Sequence, residues 1–113
     1  MTAASVSTDE VLGALADETR REILRLVWSR ERPAGEIAAR FASTRQAVSH
    51  HLGVLLECQL VSVRVEGTRR LYRANRAPIR RLRDEFALFW DESLDRLSSA
   101  AQELERKDQA RAH

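Results

Sequence analysis

Thr44-Arg45-Gln46-Ala47-Val48-Ser49-His50-His51-Leu52-Gly53-Val54-Leu55-Leu56 reads as a helix that is apolar on one side only. At about 100° per residue, Val48, Leu52, Leu55 and Leu56 fall within roughly a quarter of the wheel. Gln46, His50 and Gly53 point the other way, with Ala47 and Ser49 at the flanks. That outer face is short, polar and free of acid until Glu57. A merely solvated helix carries Glu and Lys there. A helix that enters the major groove of duplex DNA carries small residues and hydrogen-bonding groups instead.

The preceding sequence supplies the frame. Thr8 is placed to cap a short first helix, with Asp9 and Glu10 in its first turn, where acids complement the helix dipole. Val11, Leu12, Leu15 and Ala16 form its apolar face. Asp17 caps a second helix that reaches about Ser29, with Ile23, Leu24, Val27 and Trp28 inward. Glu31-Arg32-Pro33 breaks it. A third helix spans roughly Ala34 to Phe41, burying Ile37, Ala38 and Phe41. Ala42-Ser43 turns the chain and Thr44 caps the opening helix. Two short helices around a tight turn make a helix-turn-helix, whose second helix lies in the groove.

Downstream, Val61, Val63 and Val65 alternate with Ser62, Arg64 and Glu66, the period of a strand. Glu66-Gly67-Thr68 turns the chain, and Arg69-Arg70-Leu71-Tyr72-Arg73 returns it. A lone two-stranded hairpin is marginal in water, so its Val face is expected to pack on the helices and leave Arg64, Arg69 and Arg70 outside. A helix-turn-helix followed by a basic hairpin is a winged helix. The wing tip is suited to backbone phosphates or the adjacent minor groove.

Ala77-Pro78 opens the last helix, with Pro in a permitted first-turn position. Ile79, Leu82, Phe86, Phe89, Trp90, Leu94, Leu97, Ala101 and Leu104 recur at steps of three and four, over about 40 Å at 1.5 Å per residue. A core this small cannot cover that stripe, and an uncovered apolar patch marks an interface. The expected dimer contacts are Leu12, Leu15, Phe86, Phe89, Trp90, Leu94 and Leu97; the alternative is a helix folded back on its own domain.

The 113 residues suffice for one domain, expected over 8–106 between disordered tails 1–7 and 107–113. Such a domain buries only about two-thirds of its unfolded surface, so a second subunit adds stability. No apolar run approaches the roughly 20 residues of a membrane span. The N-terminus lacks the basic and apolar regions of a signal peptide, and the expected location is the cytoplasm. The single cysteine, Cys58, excludes an internal disulfide and a Cys-rich zinc module; it is expected as a structural thiol.

The net charge of +2 hides an asymmetry. Residues 1–60 hold seven Arg against eight acids, residues 61–83 eight Arg against one, and residues 84–113 four bases against eight acids. Localised basic charge is the footprint of a polyanion site. Lys107 is the only lysine. Arg suits phosphate and guanine through its planar fork; a GC-rich genome explains an Arg bias equally well but not its clustering.

Leu15-Ala16-Asp17-Glu18-Thr19-Arg20-Arg21-Glu22-Ile23-Leu24, Gly35-Glu36-Ile37-Ala38, Ala47-Val48-Ser49-His50-His51-Leu52-Gly53-Val54-Leu55 and Glu66-Gly67-Thr68-Arg69-Arg70-Leu71-Tyr72 together resemble an ArsR-type winged-helix transcriptional repressor, over about residues 10 to 97. The Phe89-Trp90 pair resembles its metal-independent, SdpR-like branch. The resemblance implies a mainly α fold with a small β-hairpin, dimerising through its first and last helices. It implies a homodimer that binds double-stranded DNA at an inverted-repeat operator near a promoter. It puts DNA-reading residues at Arg45, Gln46, Ser49 and His50, beside the capping Thr44, with wing contacts near Arg69 and Arg70. Arg64, from the hairpin pattern, joins them.

The sequence departs from the family's metal sensors. Where one common site has Cys-x-Cys, this chain has Arg32-Pro33-Ala34-Gly35. The other uses Asp and His along the last helix, which has Asp84, Asp91 and Asp95 but no His before His113. A first-row transition metal favours several N or S ligands in fixed geometry, so no metal or other cofactor is expected. A small-molecule effector is not identifiable. His50 faces outward as a DNA contact or an ordinary exposed ring. His51, on the flank, touches phosphate or makes a structural hydrogen bond.

Two other classes compete. A winged helix can serve as a protein-interaction module without specific DNA binding, but that role needs neither the basic wing nor the acid-poor helix face. An enzyme needs a nucleotide loop, a nucleophile elbow or a metal motif, and none is present. Ser49 beside His50 lacks the orienting acid of a triad, so no catalytic residue is assigned.

Overall fold

A computed structural model describes residues 6–112. Residues 1–5 of the expected N-terminal tail, and His113, lie outside the described residues. The elements are α1 (Thr8–Leu15), α2 (Glu18–Leu26), β1 (Arg32–Pro33), α3 (Ala34–Ala39), α4 (Arg45–Glu57), β2 (Val61–Glu66), β3 (Arg69–Ala74) and α5 (Arg76–Ala112). Where the sequence points to one domain over 8–106, the chain divides into two units, residues 1–80 and 81–113.

Unit one is the winged helix. Its core is the apolar side of each helix: Val11 and Ala14 from α1, Ile23 and Leu24 from α2, Ile37 from α3, and Val48, Leu52 and Leu55 from α4. Leu56, Ala38 and Phe41 are only half-buried. Capping departs from expectation at α1. Ser7, not Thr8, is the N-cap, its hydroxyl accepting from the Glu10 N–H at 3.2 Å. The Ser7-x-x-Glu10 spacing explains the choice, because it sets the pair that closes a helix start. Asp17 and Thr44 cap α2 and α4 as expected, accepting from the Arg20 and Ala47 N–H groups at 3.0 and 3.1 Å.

α2 ends at Leu26 rather than Ser29 because its last carbonyls are taken from outside. Arg32 Nε donates to the Leu26 carbonyl at 2.7 Å, the Ala74 N–H to that of Val27 at 3.0 Å, and Arg76 Nη2 to that of Trp28 at 2.7 Å. The Arg76 guanidinium also lies over the Trp28 ring, 5.0 Å from its centroid. α3 stops two residues early, closing on i+3 bonds from Arg40 and Phe41 to Ile37 and Ala38.

The exit from α4 fixes the wing. The Leu60 N–H donates to the Leu55 carbonyl at 2.9 Å and the Gln59 N–H to Leu56 at 3.0 Å. This paired closure requires a left-handed residue at Gln59, whose φ is 58°. Leu60 and Leu55, both fully buried, supply the apolar contact that accompanies it. The chain then enters a three-stranded antiparallel sheet of order β1-β3-β2, with Gly67 left-handed in the hairpin turn. The short β1 was not legible in the sequence. Its Pro33 pairs with Leu71 at a sheet edge, where a missing N–H is tolerated.

The hairpin does not bury its valines as expected. Val61 is buried, but Val63 is 38% and Val65 65% exposed. The sheet is packed only at its base, through Val61, Leu71, Tyr72 and Ala74, and the remainder of β2 projects beyond the helices.

α5 has 37 residues, hence about 55 Å rather than 40 Å. It carries helix through Lys107–Ala112, which the sequence reading assigned to a disordered tail. Within unit two, Phe86, Leu88, Phe89, Trp90, Leu94, Leu97 and Leu104 are exposed. Among the described residues no helix is long and apolar enough to cross a membrane.

Two substitutions separate backbone strain from packing. A left-handed non-glycine residue costs roughly 1–2 kcal/mol, part of which glycine returns as unfolded-chain entropy. Gln59→Gly is expected to stabilise by about 0.5–1 kcal/mol, and Leu55→Ala to destabilise by about 2–5 kcal/mol. Urea unfolding at one fixed protein concentration measures both.

Candidate nucleic-acid interface

Burial of Val48, Leu52 and Leu55 turns the rest of α4 outward. Thr44, Arg45, Gln46, Ser49 and His50 are all exposed. Thr44 is also spent on its cap. No acid lies among them, since Glu57 is at the far end of the helix.

Register sorts the wing. In an antiparallel pair, residues directly opposite share a face. Val65 pairs with Arg70 and Val63 with Tyr72; Arg64 pairs with Leu71 and Glu66 with Arg69. Arg70 and Tyr72 line a cleft of about 270 Å³ with Arg45, Ser49 and Gly35. The Val63–Val65–Arg70 face therefore looks toward α4. Arg64 and Arg69 are on the other face, so the adjacent Arg69 and Arg70 point in opposite directions.

Ion pairing sorts the arginines further. Arg64 is held by Glu31, and its Nη1 lies 2.9 Å from Glu66 Oε2. The Arg64 hydrogen bond keeps the Glu31 carboxyl below its usual range, and the same bond, with Glu66, raises Arg64. This residue, expected as a phosphate contact, is paired with two carboxylates and links the wing to the α2–β1 loop. Arg20, Arg21, Arg32 and Arg76 donate to backbone carbonyls. Arg45, Arg69 and Arg70, by contrast, have no hydrogen-bond or ion-pair partner among the described residues. Three exposed, uncompensated guanidinium groups thus remain around α4 and the wing tip.

The two histidines divide their roles. His50 is exposed on the outer face. The His51 side chain is 17% exposed, with Nδ1 3.3 Å from Arg20 Nη1. Cys58 is buried, its Sγ 3.6 Å from the Glu10 carbonyl, and burial raises its pKa; the thiol is structural. Sequence reasoning missed Tyr72 as a wall of the cleft. Its alternation with Arg70 in β3 was the available signal.

Position 32–35 offers no thiol, and among the described residues no three His, Cys, Asp or Glu side chains gather closely enough to hold an ion.

Comparison with known proteins places this geometry. Residues 15–64 match a family model described as a helix-turn-helix domain. The HTH-type transcriptional regulator Rv2034 of Mycobacterium tuberculosis is 39% identical over 88 residues, 78% of this chain and 82% of that protein. An ArsR-like transcriptional regulator from Rhodococcus sp. RHA1 superposes with a TM-score of 0.73 at 33% identity, covering 84% of this chain and 90% of that one. The homodimeric winged helix-turn-helix DNA-binding domain Mb0332 of Mycobacterium bovis, described as a possible ArsR-family regulator, superposes at 0.59 with 31% identity, over 78% and 82% of the two chains. These relatives are regulators, not enzymes. On the strength of similarity that runs through the helix-turn-helix and most of each relative's length, the chain belongs to the ArsR family of winged-helix transcriptional regulators.

Proposed function

We propose that the protein is a metal-independent repressor that binds double-stranded DNA as a homodimer, at an inverted-repeat operator near a promoter, its own included. The observation that carries this reading is the convergence of Arg45, Ser49 and Arg70 on one cleft beside an α4 face without acids. Gln46, Ser49 and His50 are the base-edge candidates, since short polar groups on a groove helix reach base edges. Arg45, Arg69 and Arg70 neutralise phosphates, and Thr44 holds the start of α4 in place. Leu12 and Leu15 from α1, and Phe86, Phe89, Trp90, Leu94 and Leu97 from α5, supply the contacts to a second copy. The exposure of that α5 stripe supports the pairing, because so large an apolar surface marks an interface. Two α4 helices related by a two-fold axis require half-sites about 34–36 Å apart, or a multiple of it.

A gel shift on the duplex upstream of the protein's own gene tests the reading. A sequence-dependent shift that weakens steeply with salt supports it; no such shift at low salt overturns it.

The ion pairing of the wing predicts a contrast between two neighbouring arginines. Arg70→Ala is expected to flatten the plot of log affinity against log salt by about one unit per subunit. Arg64→Ala should leave that slope unchanged, because Glu31 and Glu66 already neutralise its charge. Fluorescence anisotropy over a salt series measures both.

Sedimentation equilibrium checks the pairing. Phe89→Ala together with Trp90→Ala is expected to shift the protein from dimer toward monomer, each lost aromatic costing about 3–5 kcal/mol where the pair is fully buried.

A further inference from the structure

Arg20 lies in the first turn of α2, and its guanidinium serves three helices. Nε donates to the Ala14 carbonyl at 2.6 Å and Nη2 to the Gly13 carbonyl at 3.1 Å, both at the C-terminal end of α1. Carbonyls at a helix C-terminus point out of the helix and attract a cation. Nη1 reaches His51 Nδ1 on α4 at 3.3 Å. The Arg20 backbone N–H donates to Asp17 Oδ1 at 3.0 Å, and this bond keeps the Asp17 carboxyl below its usual range. Asp17 Oδ1 lies 3.9 Å from His51 Nδ1. A guanidinium has donors only. The contact with Arg20 is a hydrogen bond for the ring whose Nδ1 accepts and whose proton is on Nε2.

The placement of these groups gives the contact its consequence. Gly13 and Ala14 lie between Leu12 and Leu15 on α1. Ser49 and His50 directly precede His51 on α4. Apolar burial of Val48, Leu52 and Leu55 selects the face of α4 that turns inward, but the burial itself is non-directional. A hydrogen bond is directional. We propose that His51 is a positioning residue for DNA binding, held by Arg20 so that the roll of α4 is fixed against the α1–α2 corner. The inference rests on the reading of α4 as the helix that enters duplex DNA.

The experiment compares three variants on the duplex from upstream of the protein's own gene. His51→Leu removes the acceptor at similar size, and Arg20→Lys removes the fork that reaches both partners. His51→Asn keeps an acceptor oxygen where Nδ1 stands. His51→Leu and Arg20→Lys are expected to bind about tenfold more weakly than the unaltered protein, the scale of one lost hydrogen bond to a charged group. His51→Asn should recover to within about threefold. Equal binding by His51→Leu and the unaltered protein, or no rescue by His51→Asn, overturns the proposal. Readouts without DNA keep it testable if a variant folds poorly or if no duplex binds. Imidazole nitrogen shifts in the unaltered protein are expected to show the His51 proton on Nε2; a proton on Nδ1 overturns the contact. Amide exchange at Ser49–Leu52 is expected to quicken in His51→Leu with other core amides unchanged; unchanged exchange at those residues overturns the positioning role. Failure of all duplex binding sinks the repressor reading, and the tautomer and exchange results then decide the His51 contact by themselves.

Discussion

Val48, Leu52 and Leu55 are almost wholly removed from water, and their burial determines which side of α4 is left over. A helix turned by three large apolar side chains cannot also bury Gln46, Ser49 and His50. The same burial sets the direction of the chain beyond the helix. Leu55 is both a core residue and the carbonyl that the Leu60 N–H closes upon, so the left-handed Gln59 and the start of β2 follow from where Leu55 sits. From there β3 is fastened at its far end by Ala74 to the Val27 carbonyl and Asn75 to that of Leu60. One apolar stripe thereby places both the exposed helix face and the wing beside it.

Charge is distributed by the same economy. In this chain arginine does two unlike jobs. Some guanidinium groups end helices by collecting their last carbonyls: Arg20 and Arg21 for α1, Arg32 and Arg76 for α2. These sit where the negative end of a helix dipole welcomes a cation, and their field is largely answered locally. Arg64, paired with both Glu31 and Glu66, adds no positive field either. On the proposed reading, the attraction for a polyanion comes from fewer groups than composition suggests, with Arg45 and Arg70 together at one cleft.

Helix-turn-helix, wing and terminal helix were all legible in the sequence, because each has a local signature. Asp17 and Thr44 stand one residue before an apolar period, and Gly67 stands between two strand periods. What escaped depended on distant neighbours. Nothing near Arg64 in sequence announces Glu31, which is brought to it by the fold. Val63 and Val65 carry the alternation of a half-buried strand, but the helices end before they can cover them. β1 is two residues long and exists only because β3 offers it an edge. Residues 107–112 lack an apolar stripe, yet they have no proline or glycine to stop a helix already under way, and propagation costs less than nucleation. The outward face of α4 was readable; the sorting of the wing arginines needed the register.

On the proposed reading, pairing and DNA binding are one equilibrium. A single α4 with one wing presents few base-edge groups and only a few uncompensated charges, which fits the weak, sequence-independent binding typical of phosphate contacts alone. Joining two copies makes the second half-site contact intramolecular, and its effective concentration is set by the rigidity of the joint. A floppy joint would waste that gain, because half-sites on a duplex are separated by a fixed distance. Stiffness has to extend from the pairing helices to α4. α1, which pairs the copies on that reading, is joined to α4 through a shared polar side chain, Arg20, bonded to Gly13, Ala14 and His51. Hydrogen bonds fix orientation as well as distance, which apolar burial by itself does not. On the proposed reading, specificity draws on interior polar contacts as well as on the side chains that meet the bases.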